Sequence, residues 1–180
     1  VHYQSTRGHK ETLSFQDVIL SGVAPDIGLY LPDSITIEKL AYLTQEDLSY
    51  EDFVKTIFIS LDQASAKYVE DLAIYPGFED SPEPILKDLN DSTVVMELFH
   101  GPTKSFKDYA LQPLGAIANR RLNELGERGL VIVATSGDTG SAAIQAVKNS
   151  ENIDIVVLHP ANKVSEYQRK QMTSVIQDNV

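Results

Sequence analysis

Two stretches of the same build constrain this chain more than anything else in it. The first is the apolar run Thr93-Val-Val-Met-Glu-Leu-Phe99, broken by Gly101-Pro102 and followed from Ser105 by a helical pattern. The second is Gly129-Leu-Val-Ile-Val-Ala-Thr135, then the loop Ser136-Gly-Asp-Thr-Gly140, then a helical pattern from Ser141. Taken with the run at 153–158, they predict strand 93–98, helix 105–122, strand 129–134, helix 141–149 and strand 153–158. Strands and helices alternating at this length imply parallel strands joined by right-handed crossovers. The two loops then lie side by side at one end of the sheet, the expected place for chemistry. Gly126 and Gly129 fit the turn from helix back to strand, whereas Pro113 predicts a kink or early break.

The front of the chain has another character. Residues 1–10 are polar and lack periodicity, and 12–21 read as a helix with Phe15, Val18 and Ile19 on one face and Gly22 as its stop. Val23 to Pro32 reads as a turn leading to a very short extended piece. Helices are expected at 36–43, after Ser49 (Phe53, Ile57, Phe58 and Leu61 sharing a face), and at 64–74. The segment 76–84 holds three of the eight prolines and marks a linker. The expected division is therefore a mainly helical domain with its linker at 1–84, and the first part of an α/β domain at 85–180. A last helix is expected over 163–176, capped near Ser165, and Val180 could begin a fourth strand. An open α/β sheet usually has more strands than this, so the sequence reads as the front part of a longer protein.

The totals exclude several functions. A net charge of −11 argues against general binding to nucleic acid or anionic membrane. With no cysteine there are no disulfides and no thiolate metal sites, and the histidines at 2, 9, 100 and 159 lack metal-ligand spacing. No apolar run approaches membrane-spanning length, and a reducing, cytoplasmic setting is the plain expectation.

In the loop Ser136–Gly140, two glycines let backbone approach a ligand, and the helix behind it offers free N–H groups to a carboxylate or phosphate. The plainer reading is a helix start capped by Asp138 or Thr139. Lys107 falls where strand gives way to helix. There an apolar sleeve can lower an amine's pKa and make it a Schiff-base former. A cation in a first turn opposes the helix dipole, so its amine is better explained as engaged or neutral. Lys104 competes for that role, and His100 is either a general base or a turn residue with a satisfied ring.

At these residues the sequence closely resembles threonine synthase. The matching pieces are Tyr3-x-Ser-Thr-Arg-Gly8, Ala24-Pro-Asp-x-Gly-Leu-Tyr30, Leu98-Phe-His-Gly-Pro-Thr103 with Phe106-Lys-Asp108, Ala134-Thr-Ser-Gly-Asp-Thr-Gly-Ser-Ala-Ala143, and Val164-Ser-Glu-x-Gln-Arg-x-Gln-Met-Thr173. They occur in family order across nearly the whole chain.

The resemblance implies an α/β fold of the tryptophan-synthase-β-like class (PLP fold type II), here a helical N-terminal region followed by the start of an open parallel sheet. It implies pyridoxal 5'-phosphate (PLP) carried by Lys107 as an internal aldimine, with Phe106 and Asp138 beside the cofactor. Ser136, Gly137, Asp138, Thr139 and Gly140 would hold the substrate carboxylate, and Lys163 and Ser165 the leaving phosphate. The implied reaction, that of a carbon–oxygen lyase acting on phosphates, turns O-phospho-L-homoserine and water into L-threonine and phosphate. Relatives such as cysteine synthase have Asn where this loop has Asp138. Lys104-Ser105 replaces an apolar residue followed by Ala. The family's Ser-Gly-Asn-Phe-Gly-Asn type loop, which grips the PLP phosphate, does not occur in these 180 residues. The chain then depends on the remainder of its own length, and the isolated piece is expected to be inactive. The alternatives are a threonine synthase-like phospho-lyase giving 2-oxobutyrate, and a non-catalytic fragment.

Overall fold

The computed structural model describes residues 1–34 and 48–180, so the helix expected at 36–43 lies outside the described residues. The chain divides into two compact units, Val1–Leu72 and Ala73–Val180.

In the first unit, β1 (Tyr3–Ser5) pairs antiparallel with β2 (Tyr30–Pro32), Tyr3 opposite Pro32. Asp26 joins the segment after β1 to the turn before β2. Its carboxylate accepts from the Ser5 hydroxyl (2.7 Å), the Gly28 amide (3.0 Å) and the His9 amide (2.9 Å). Those bonds, the one from Ser5 foremost, hold its carboxyl below the usual carboxylate range. The motifs at 3–8 and 24–30 are therefore two halves of one turn assembly. Helix α1 spans Phe15–Ser21 and ends at Gly22, whose φ of 65° suits glycine. Helix α2 (Tyr50–Leu61) starts at Ser49, whose hydroxyl accepts from the Asp52 amide. In place of a helix over 64–74 the chain makes a 3-10 turn at Gln63–Ser65 and a single α-turn, α3 (Ala66–Val69). Phe15 is buried where the rings of Tyr3, Phe58 and Tyr68 meet it at 6.0–6.4 Å. Burial, with the Asp62 charge beside it, pushes the Tyr3 phenol up to about 12.

In the second unit, β5 (Gly129–Ala134) and β6 (Ile153–Leu158) form the expected parallel pair with the predicted bounds. The run at 93–97 behaves differently from expectation. As β4 (Thr93–Glu97) it folds back antiparallel on β3 (Ile85–Asn90), a strand the sequence reading left unassigned. The reversal is made by Asn90, whose side-chain oxygen accepts from the Ser92 amide at 3.0 Å.

Helix α4 (Asp108–Leu125) starts later than expected and runs unbroken through Pro113. Proline cannot donate to the carbonyl four residues back, that of Tyr109, and the Tyr75 hydroxyl donates to that oxygen instead at 3.0 Å. Gly126 ends the helix in a left-handed conformation, with its own amide and that of Glu127 returning to the Leu122 carbonyl.

Helix α5 (Asp138–Val147) begins inside the glycine loop, three residues before the expected start. Helix α6 (Glu166–Thr173) is shorter than the expected 163–176 and opens with a capping box between Ser165 and Gln168. The core of this unit is Leu122 of α4, Ala143, Ile144 and Val147 of α5, Ile153 and Ile155 of β6, and Met172 of α6. It covers one face of the parallel pair. Among the described residues no helix is long and apolar enough to cross a membrane.

Candidate active site

After β4 the chain makes tight turns through Gly101–Lys107 before α4 begins. Asp108, fully buried, holds these turns. One carboxylate oxygen accepts from the Thr103 amide and the other from the Thr103 hydroxyl, both at 2.9 Å. Burial raises the Asp108 carboxyl above its ordinary value, against the opposing pull of the Thr103 and Ser105 bonds and the Lys104 charge. A Cβ on Gly101 would come within 2.5 Å of an Asp108 oxygen, so only glycine lets the loop close this tightly.

Lys107 is the N-cap residue of α4, half-buried, with its ammonium 4.4 Å from the centre of the exposed Phe106 ring. A cation at a helix N-terminus opposes the dipole, and the ring face offsets part of that cost. Lys104 is exposed and sits at a positive φ of 59°. The His100 ring is satisfied by Glu97, Nε2 to Oε2 2.8 Å, and stacks against Phe99.

The second loop has a cap the sequence reading did not assign. The Thr135 hydroxyl oxygen accepts from the Gly137 amide (3.0 Å) and the Gly140 amide (3.1 Å), a role expected of Asp138 or Thr139. Gly137 is the N-cap of α5 at φ 152°, ψ −89°, a backbone that disfavours a side chain. The amides of Asp138 and Thr139 begin the helix and make no hydrogen bond among the described residues. They are free to hold an anion. The Asp138 carboxylate accepts from Gln168 Nε2 at 2.6 Å, which fixes its orientation.

Helix α6 links the two loops. Gln168 reaches Asp138, and Gln171 Nε2 donates to the Thr103 carbonyl at 2.9 Å. The structure thus connects Lys107 with Phe106 on one loop to Ser136–Gly140 on the other, through a helix the sequence reading placed but did not assign to this task. The signal for it was present, since Ser165-x-x-Gln168 is a capping box and Gln171 lies one turn beyond, on the same side. Lys163 is exposed, and the Ser165 hydroxyl is engaged in the capping box. Chemically the arrangement offers a primary amine beside an aromatic face and two open amides at a helix N-terminus. Such groups suit a carbonyl compound and a carboxylate.

Residues 2–70 match the family described as "Threonine synthase N terminus". The whole chain is 41% identical to a threonine synthase from Pseudomonas aeruginosa, and 99% of it aligns at 39% identity with "Threonine synthase-like 2" of Xenopus laevis. Among solved structures, the PLP-bound threonine synthase from Brucella melitensis is 37% identical and superposes on 99% of the chain with a TM-score of 0.83. The chain spans 39–40% of the length of these three proteins. Along its full length it resembles the N-terminal portion of threonine synthases, and its α/β fold is theirs.

Proposed function

We infer, from a chain whose whole length resembles the N-terminal part of a threonine synthase, that it contributes the lysine and the carboxylate loop of a PLP enzyme. That enzyme converts O-phospho-L-homoserine and water to L-threonine and phosphate, a carbon–oxygen lyase reaction of amino-acid biosynthesis. The observation that carries the reading is the tethering of both loops to one helix, Gln168 to Asp138 and Gln171 to Thr103.

The residues fit one end of the cofactor. Lys107 supplies the amine for its aldehyde, the exposed Phe106 ring supplies a flat apolar face, and Asp138 stands at the opposite loop. When bound, PLP draws electrons from the bonds at the substrate's Cα. Ser136–Gly140 holds the substrate carboxylate through the open amides of Asp138 and Thr139, and so fixes which substrate bond is broken. The Lys107 amine would serve as the base that holds and moves protons at the substrate's Cα and Cβ. Lys163, two residues before the cap of α6, and Ser165, the cap itself, are assigned to the leaving phosphate. The sequence holds no Ser-Gly-Asn-Phe-Gly-Asn type loop, so the 180-residue piece alone is expected to retain PLP weakly and to make no threonine. A cytoplasmic setting belongs to the same reading, in keeping with a cysteine-free, acidic chain.

A second reading, a phospho-lyase giving 2-oxobutyrate, is favoured by the nearly equal similarity to "Threonine synthase-like 2". The test is to supply O-phosphohomoserine to the full-length protein and quantify both products. Threonine is expected from the native sequence, with turnover lost in Lys107→Ala and retained in Lys104→Ala. Production of 2-oxobutyrate alone establishes the second reading. Activity that survives Lys107→Ala but not Lys104→Ala refutes the lysine assignment.

A further inference from the structure

We propose that α6 is a positioning clasp, in which Gln168 sets the carboxylate loop and Gln171 sets the lysine loop, so that one rigid helix fixes their separation. The proposal rests on the active-site reading above and goes beyond it by giving two further residues separable tasks. Gln168 has both ends of its amide committed. Its oxygen accepts from the Ser165 amide (3.3 Å) and lies 2.9 Å from the Ser165 hydroxyl, while its nitrogen donates to Asp138 (2.6 Å). The side chain therefore cannot swing away from Asp138 without opening the start of its own helix.

Gly137 completes the fit. A Cβ there would lie 2.5–2.7 Å from the Gln168 amide group, so the α5 N-terminus and Gln168 are pressed together. Three residues further along α6, Gln171 holds the Thr103 carbonyl, and the same Thr103 is bonded through its amide and hydroxyl to Asp108, the neighbour of Lys107. Residues i and i+3 of a helix share a face, and the helix between them is stiff. Displacement of one loop is in this way passed to the other. Catalytic rates are sensitive to shifts of about an ångström.

The test uses the full-length enzyme. Gln168→Glu keeps the oxygen that serves the capping box and replaces the donor facing Asp138 with a second carboxylate oxygen, so the tether is both broken and pushed apart by like charge. It is expected to raise KM for the amino-acid substrate about tenfold while kcat changes less than about threefold. The double variant Asp138→Asn/Gln168→Glu exchanges donor and acceptor and is expected to bring KM back toward the native value. Gln171→Met is expected to weaken PLP uptake by the apoenzyme about tenfold, read by fluorescence titration, with a smaller effect on KM. An unchanged KM in Gln168→Glu, or a double variant no better than the single one, overturns the clasp. Native apoenzyme that takes up no PLP overturns the active-site reading and the clasp with it.

Discussion

Asp108 carries more of the candidate site than its place beside Lys107 suggests. It is fully buried, accepts two bonds from Thr103, and is held above its ordinary carboxyl value chiefly by burial. Asp108→Ala leaves the Thr103 amide and hydroxyl without acceptors in a buried place and is expected to cost about 1–3 kcal/mol of stability. Asp108→Asn can keep both contacts, with its oxygen on the amide and its NH2 donating to the hydroxyl, and is expected to cost less. A carboxyl raised on folding contributes stability that is present below its unfolded value near 3.8 and is lost as pH rises through the folded value. Denaturant titrations should therefore show Asp108→Asn gaining on the native protein as pH rises through the carboxylate range; a gap that does not change with pH would contradict this. Lys107 and Asp138 were named as candidates from the sequence because glycine loops between strand and helix draw attention to them. Gln168, Gln171 and Thr135 were not, since their importance comes from which distant backbone they reach.

Elements were legible where pattern and tertiary context agree. The strands β5 and β6 are unbroken apolar runs bounded by turns, and their limits were read correctly. The hairpin β3–β4 was missed because Ile85-Leu-Lys-Asp-Leu-Asn90 has no clear period, and β4 then looked like a member of the parallel sheet. Pro113 misled for a different reason: the compensating group, the Tyr75 hydroxyl, lies 34 residues from the Tyr109 carbonyl it serves. Tyr75→Phe is accordingly expected to cost about 1 kcal/mol in the native protein, and less when Pro113→Ala has restored the helical donor. A double-mutant cycle by urea unfolding measures that coupling; strict additivity would show that Tyr75 does not serve the helix.

At the scale of the molecule, among the described residues of the second unit the core covers one face of the parallel pair. On the other face Leu130 and Ile132 of β5 and Val156 and Leu158 of β6 are 45–64% exposed. Parallel sheets ordinarily have both faces covered, and this chain spans only about two fifths of its relatives' length. Expressed alone, it is expected to self-associate through this face. Ile132→Lys should reduce association in light scattering while shifting unfolding stability by no more than about 0.5 kcal/mol. If the lysine instead unfolds the protein, the face is covered from within this chain.

Everything proposed for the site depends on Lys107 being the residue that takes the cofactor's aldehyde. Reducing the PLP-loaded full-length protein with borohydride and mapping the modified peptide by mass spectrometry tests this most directly. A single pyridoxyl group on Lys107, in about stoichiometric yield, is the predicted result. The same group on Lys104, or no adduct within residues 1–180, would contradict it.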